Sequence, residues 1–480
     1  MNPSMMDSQQ PKCCHFVAVP FPGRGHVNAM MSLCRILASK STAAAPILIT
    51  CVVTDEWLGF LLSELHPLPP NVRLASIPNV IPSELGRAKV YEGFVDAVLT
   101  KMPEAVEWLL DRLEPRISGL VADTYLPWAV AAGSRRGVPV HSLFPMAASI
   151  FSAMYEFDRL AAAVAAADGR VAVNGEGKAD EPLAKYIQGH APLKLADFRS
   201  VLAAGKPLEL ALQALSMVRK ADSVLFTSFY ELEARVFDAL RANIPVPVYP
   251  VGPSIPYMLL DEKRAVVEPG GSAAPDYVEW LDSQPDGSVL YVSLGSFLSV
   301  SGAQMDEIAM GLSLSGTRFL WVARSESSRL REAVGDAGLI VPWCDQLRVL
   351  GHASVGGFLT HCGWNSTLEG VFSGLPMLTF PIFWDQPIDS RLIVDEWKIG
   401  LNLRGGVGTE EGGGVVVVGR EEIARVVKRV MDLEGDESKA MRRRAAELRE
   451  AARRAVEAGG SSSTNLDCFI RDFMGNVAAK

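Results

Sequence analysis

A histidine and an aspartate, each standing just beyond an apolar run, could act together as a proton acceptor in this chain. The run 15–20 breaks into a turn of Pro22, Gly23, Arg24 and Gly25, and His26 follows it; Asp123 ends a second apolar run in the segment VADTYLPW. If the two runs are strands of one parallel sheet, both side chains emerge at its carboxyl edge, where α/β proteins bind ligands. An imidazole there suits a general base. A carboxylate beside it would fix the imidazole tautomer and stabilise imidazolium as the proton arrives. Each residue has another use open to it: His26 could pack in the core, and Asp123 could cap the helix that follows. The turn makes a poor dinucleotide loop, because Gly23 and Gly25 lack the remaining glycine of G-x-G-x-x-G.

The densest gathering of polar chemistry lies at 343–386, WCDQLRVLGHASVGGFLTHCGWNSTLEGVFSGLPMLTFPIFWDQ. Here 355–360 reads as a buried strand, 361–365 as a turn with a glycine, 366–374 as a short helix and 376–381 as a second strand. Backbone N–H groups and the positive end of the helix dipole would converge near His361, Asn365 and Ser366, a ready site for a diphosphate. The loop 383–386 would close over the same crevice. Ser366 and Glu369 also have the S-x-x-E spacing of a capping box. Trp343, at a strand-to-loop boundary, could be a stacking platform for a base or an ordinary aromatic. His361, abutting a helix N-terminus, should be neutral unless an anion sits there. His352 is read as structural.

Those elements must be positioned by a larger scaffold. With 480 residues the chain exceeds the size at which one core keeps growing, so two domains are expected. Its 49% hydrophobic content excludes a largely disordered protein. The net charge of −9 argues against nucleic acid or an anionic membrane as partner. Seven cysteines, odd in number and without paired spacing, indicate a reducing compartment, and Cys13, Cys14 and His15 are read as the start of a strand rather than a metal site. The N-terminal residues resemble neither signal peptide nor anchor, and no run approaches a membrane span. A cytoplasmic monomer without membrane insertion is expected.

Apolar runs at 15–20, 47–54, 72–77, 117–122, 138–144 and 223–227 alternate with helical patterns, and the alternation restarts at 288–294, 318–323, 355–360 and 376–381. This predicts two βαβ-built, Rossmann-like domains. The boundaries expected are 1–250 for the first domain, 251–275 for a linker rich in proline and glycine, 276–458 for the second domain, and 459–480 for a last helix. Residues 161–182 read as an alanine- and glycine-rich excursion, 403–420 as a loop with an edge element, and Arg442, Arg443 and Arg444 as a solvated helix face.

The segment 343–386 closely resembles, over its full length, the signature box of plant UDP-dependent glycosyltransferases, the secondary-product class of glycosyltransferase family 1. The resemblance is weaker over the rest of the chain. It implies the GT-B fold, an α/β architecture of two Rossmann-like domains whose parallel sheets face a central crevice, with the last helix returning to the first domain. It implies His26 as catalytic base and Asp123 as its orienter in a single displacement with inversion. For the donor it implies Trp343 stacking on uracil, Cys344 facing uracil through its backbone, Gln346 near the nucleotide and Glu369 on the ribose. Ser296, His361, Asn365 and Ser366 would meet the phosphates, and Trp364, Asp385 and Gln386 the sugar hydroxyls, with Gln386 the usual choice for glucose. Phe21, Met146, Phe151 and Tyr155 fall in segments that line the acceptor side in such enzymes, although core packing is equally open to each.

No Asp-x-Asp triplet occurs, so neither a metal nor another cofactor is expected; UDP-glucose would be a co-substrate and a small lipophilic phenolic, flavonoid or terpenoid the acceptor. Two alternatives stay open from the sequence. One is sugar transfer to carbon or nitrogen on the same fold; the other is a sugar-nucleotide-binding protein without catalysis.

Overall fold

The apolar runs of the first half pair into one sheet because, buried on both faces, they satisfy their backbone groups only in each other. In the computed structural model these are β1 (Cys14–Val19), β2 (Ile47–Thr54), β3 (Val72–Ile77), β4 (Gly119–Asp123), β5 (Val140–Phe144), β6 (Ser223–Phe226) and β7 (Val248–Pro250). Their order is β3-β2-β1-β4-β5-β6-β7, and every pairing is parallel. The structure describes residues 13–63, 67–157, 161, 182–185, 187–189, 193–198, 201, 205–260, 276–295, 300–323, 327–403 and 417–478.

A second parallel sheet follows in the order β10-β9-β8-β11-β12-β13. Its strands are β8 (Val289–Ser293), β9 (Arg318–Val322), β10 (Gly338–Val341), β11 (Val355–Thr360), β12 (Met377–Thr379) and β13 (Gly400–Asn402). Both sheets reverse their strand order in the middle, at β1/β4 and at β8/β11. Such switch points open a crevice beyond the carboxyl ends of the strands. The architecture is the two-unit GT-B arrangement.

Three strands escaped the sequence reading: β7, β10 and β13, of three or four residues each. All are edge strands, too short to show a pattern. β7 ends directly before the expected linker, and Pro250 is tolerated there because an edge strand need not donate on its open side. The linker residues 261–275, most of the excursion at 161–182 and the glycine-rich loop 404–416 lie outside the described residues. The arginine run is corrected too. Arg442 donates to the Gly356 carbonyl at 2.7 Å and Arg444 to that of Lys398 at 2.7 Å, so these two tie the helix Asp436–Val456 to the sheet unit beneath it.

The final helix, Ser461–Ala478, lies on the first sheet. Phe473 stacks on Phe16 of β1 at 4.2 Å, and both it and Phe469 are buried. Side chains of this size contribute about 1.5–3 kcal/mol each on burial. Gly119 permits the approach, since a Cβ there would fall 2.3 Å from the Phe473 ring. One contiguous apolar cluster draws on both sheet units, including Phe144 and Phe226 of the first and Tyr291 and Phe358 of the second.

Candidate active site

His26 is the third residue of α1 (Arg24–Ser39), which starts directly after the turn that leaves β1. The turn is fixed from outside, where Trp57 donates its indole N–H to the Pro22 carbonyl at 3.3 Å. Buried Val27, Met30, Leu33 and Leu37 hold α1 against the sheet, leaving its first turn at the crevice. Asp123 is the last residue of the neighbouring β4, so the switch point sets the two side chains face to face. The His26 Nδ1 to Asp123 Oδ2 distance is 2.8 Å, with the histidine side chain 25% exposed and the aspartate wholly buried. The other carboxylate oxygen accepts from the Tyr125 N–H at 2.9 Å. Asp123 therefore neither caps a helix nor lies unpaired, and its position commits the Nδ1 proton of His26 to it. Nε2 is the nitrogen turned toward the crevice. Tyr125 and Phe21 pack around the imidazole at 5.7 and 5.0 Å.

The crevice is a cavity of about 860 Å³ walled by both halves. On the second half, the helix Trp364–Ser373 begins at Gly363, whose extended backbone makes it the N-cap. The expected start at Ser366 is corrected, and with it the capping box: Ser366 is already inside the helix and its hydroxyl accepts from Gln346 Nε2 at 2.9 Å. Glu369 accepts from the same nitrogen at 2.5 Å, while Gln346 Oε1 accepts from the Tyr291 hydroxyl at 3.1 Å. Burial pushes the Glu369 carboxyl up to about 7. Tyr291 was not singled out from the sequence, because inside strand β8 it reads as one more core aromatic. Cys344 is buried beside it, and burial pushes its thiol up to about 12, so it is not a nucleophile.

His361 follows β11 and is half-buried, and burial pushes its pKa down to about 4. Burial, rather than the helix terminus, thus favours the neutral imidazole. Gly295 and Gly363 close on its ring, and a Cβ at either would lie within 2.6 Å of Nε2. Gly295 also has φ +83, which a side chain would oppose. Ser296, the next residue, lies outside the described residues. Two non-glycine residues with left-handed backbone flank the crevice, Cys362 at φ 67 and Trp384 at φ 58. Such strain concentrates at functional sites and persists where the surroundings over-determine it.

Several expected donor contacts are used within the protein. The indole N–H of Trp364 donates to Thr227 Oγ1 at 3.2 Å in the first half, so that donor is engaged within the protein. Asn365 donates through Nδ2 to the Gly25 carbonyl at 2.7 Å, joining the N-terminus of its helix to that of α1. Each such bond contributes about 0.5–1.5 kcal/mol. Gln386 accepts at Oε1 from the N–H groups of Ile382 and Phe383, at 2.8 and 3.0 Å. Only its NH₂ is left to address a ligand. Asp385 is buried, and burial raises its carboxyl to about 6 while the facing His26 opposes that rise. Trp343 stands 43% exposed at the rim.

On the acceptor side Phe21 and Met146 line the cavity. Phe151 and Tyr155 do not, and that expectation is corrected. Phe151 is wedged between Phe144 and Phe226 at 5.0 Å from each, and Tyr155 stacks on Phe151 under the Arg219 guanidinium. The reason is the seating of their helix, Ala148–Tyr155, whose first N–H groups bond the buried Glu233 carboxylate at 2.9 Å and turn this face into the core. His352 bonds Ser354 and Asp282, a structural role. Among the described residues no group of three or more His, Cys, Asp or Glu side chains is placed to hold a metal ion, and no helix is long and apolar enough to cross a membrane.

A crevice between two parallel Rossmann-like sheets, with the 343–386 box folded along one wall, places the protein among the GT-B glycosyltransferases. Relatives narrow this further. The family described as UDP-glucoronosyl and UDP-glucosyl transferase matches residues 266–404. The chain is 45% identical to UDP-glycosyltransferase 87A2 of Arabidopsis thaliana, over 95% of this chain and 96% of that protein. It is 33% identical to the indole-3-acetate beta-glucosyltransferase of Zea mays, over 95% and 98%. Among solved structures it is similar to Medicago truncatula UGT71G1 complexed with UDP-glucose, with TM-score 0.77, 25% identity and coverage of 96% and 99%. Phytolacca americana UGT2 complexed with UDP-2fluoro-glucose and pterostilbene gives TM-score 0.75 at 28% identity, with the same coverage. The chain belongs to the plant UDP-glycosyltransferases of glycosyltransferase family 1, and it is an enzyme of the hexosyltransferase kind.

Proposed function

We propose that the enzyme transfers glucose from UDP-glucose, with inversion, to a hydroxyl of a small lipophilic acceptor such as a phenolic, flavonoid or terpenoid. The observation that carries this is the His26–Asp123 pair at 2.8 Å on one wall of the cavity, opposite the box that bears the donor residues. His26 Nε2 takes the acceptor proton, the oxygen attacks the anomeric carbon, and UDP departs from the opposite face with the bonding electrons. Asp123 holds the tautomer and stabilises the imidazolium. Neutral His361 and the N-terminus of the helix Trp364–Ser373 receive the charge that grows on the leaving phosphate. Trp343 stacks on the base, Gln346 and Glu369 hold the nucleoside, and Asp385 with the Gln386 NH₂ reads the sugar hydroxyls. Incubation with UDP-glucose and a panel of phenols and terpenoid alcohols, following product mass and acid stability, tests the reading. Products bearing glucose through acid-stable carbon linkages would sink it.

No metal enters this scheme, and the enzyme is expected to act as a cytoplasmic monomer. Activity is expected to survive excess EDTA. Loss of turnover on chelation, with recovery on adding magnesium or manganese, contradicts the assignment of the leaving-group charge to His361 and the helix terminus.

Glu369 gives the nucleoside site a pH dependence. Its folded pKa is raised to about 7, and ribose hydroxyls donate to the ionised carboxylate, so binding favours ionisation and releases a proton below that pH. Affinity for uridine is therefore expected to fall as the pH drops through about 7. Uridine is the suitable probe because it carries no titrating phosphate. Calorimetry across that range checks this, and an affinity that is flat in wild type, or equally steep in Glu369→Gln, removes Glu369 from the ribose.

A further inference from the structure

The two parts of the donor site are braced from different halves of the protein. Gln346 bonds Tyr291, Ser366 and Glu369, all in the second half, so the nucleoside part is held within the unit that carries it. The segment 385–397 opens with Asp385 and Gln386, proposed above to read the sugar, and it reaches across to the first half. Its helix Gln386–Arg391 ends at Arg391, whose Nε donates to Asp197 Oδ1 of the first half at 2.8 Å. Arg391 Nη1 donates to Asp395 Oδ2 at 3.0 Å, so one guanidinium joins this helix, the π-helical turn Leu392–Glu396 and the first half. The Asp197 side chain is 6% exposed, and its other oxygen accepts from the Lys194 N–H at 2.8 Å, which seats the carboxylate independently of Arg391. Further along, Arg235 of the first half pairs with Glu396, and the Trp397 indole N–H donates to the Leu232 carbonyl at 3.3 Å. Asp389, one turn after Asp385, is wholly buried and neither of its oxygens is hydrogen-bonded. Burial, with Asp385 and Glu233 nearby, pushes its carboxyl well above the usual range, so it packs here as a neutral acid.

We infer that Arg391 and Asp197 form a positioning pair that sets where Asp385 and Gln386 stand relative to His26, and thereby the preference for glucose over other donor sugars. This rests on the glucosyl-transfer reading given above and adds a specificity determinant to it. The pair stands outside the cavity wall and acts through the helix. Gln386 and Arg391 are the two ends of one six-residue helix, about 8 Å apart along its axis, so a shift at the tether displaces the readers. The base those readers must be aligned with belongs to the first half, and Asp385 faces it across the crevice. A sugar read by the second half alone would move with the nucleotide; tied through Arg391 to Asp197, its readers keep the register of His26. Misplacement of a reacting centre by about 1 Å can cost about a hundredfold in rate. An exposed ion pair holds little, but here the carboxylate is nearly closed off from water, which cannot readily replace the guanidinium.

The test uses the full-length enzyme with a phenol as acceptor and UDP-glucose, UDP-galactose and UDP-xylose as donors. Arg391→Gln is expected to lower kcat with UDP-glucose about tenfold and to cut the ratio of kcat/KM for UDP-glucose over the better of the other two about fivefold. Calorimetric affinity for UDP stays within about twofold of wild type, because the nucleoside part is braced elsewhere. Asp197→Asn keeps an oxygen for the Lys194 N–H and reproduces both changes. The double variant is no worse than either single one, since the two residues act as one unit. Arg391→Lys recovers part of the donor ratio. Thermal unfolding is followed for each variant, and should Arg391→Gln fold poorly, Asp197→Asn and Arg391→Lys carry the comparison. Losses that fall equally on all donors make the pair merely structural and overturn the inference, as do losses that multiply in the double variant. A fall in UDP affinity that matches the fall in rate overturns it too. All of these leave glucosyl transfer intact, whereas a wild-type enzyme that moves no sugar from UDP-glucose takes down the transfer reading and this inference together.

Discussion

His26→Ala is expected to lower turnover by about two to four orders of magnitude, the range for loss of a positioned general base. The residues proposed to hold the nucleotide line the other wall of the cavity, so affinity for UDP should stay close to wild type. The deletion also leaves Asp123 Oδ2, buried and bonded to the imidazole at 2.8 Å, without its partner. An unsatisfied buried acceptor costs about 1–3 kcal/mol, so thermal unfolding must be measured alongside the rate, and the comparison made well below the variant's midpoint. Asp123→Asn supplies the complementary result. It keeps the shape, removes the charge that stabilises imidazolium, and should slow turnover while binding UDP normally. The residual rate of His26→Ala is expected to rise as the acceptor hydroxyl becomes more acidic, because a phenol near ionisation depends less on a base. Near-normal turnover of the alanine variant on an aliphatic alcohol would falsify the role given to His26.

The second large effect separates the residues that hold the nucleotide from those that read the sugar. Trp343→Ala is expected to weaken UDP and UDP-glucose alike, by about 1–3 kcal/mol, the worth of stacking one base on an aromatic ring. Trp343 is 43% exposed at the rim, so its removal should cost affinity rather than stability. For Gln386 alanine is a poor probe, since Oε1 accepts from Ile382 and Phe383 and deletion would release the turn that carries Trp384. Gln386→Glu keeps an oxygen for those two donors and replaces the NH₂ that faces the cavity. This variant should lose UDP-glucose turnover while binding UDP nearly as well as wild type. Calorimetry with UDP and steady-state rates with UDP-glucose decide the matter: if Gln386→Glu loses UDP affinity as severely as Trp343→Ala, the division between the two groups of residues is wrong.

Much of this site is local in origin and was legible for that reason. Several candidate residues stand at or shortly after a strand's carboxyl end, and apolar runs with glycine turns mark those ends in one dimension. His26 after β1, Asp123 at the end of β4 and His361 after β11 follow from that rule with the parallel-sheet assignment. The helix that starts at Trp364 was placed two residues late, because S-x-x-E mimics a cap while Gly363, which has no side chain to signal with, is the residue in the N-cap.

The sequence by itself determined the two alternating α/β units, the box that resembles the plant glycosyltransferases, and the residue types at the switch points. Only the tertiary structure decided which of those side chains face the cavity and which are consumed in holding its walls together. Trp364 is bonded to Thr227 across 137 residues and Asn365 to Gly25 across 340, so two residues read as donor contacts also join the halves. Phe151 and Tyr155 were lost to the core, Tyr291 stayed buried but came to bond Gln346, and Arg87 came to lie on the turn before His26. The physical reason is range. Turn chemistry and apolar periodicity are set by neighbours in the chain, whereas the hydrogen-bond partner and burial of a side chain depend on how two sheets, encoded a hundred residues apart and more, pack against one another.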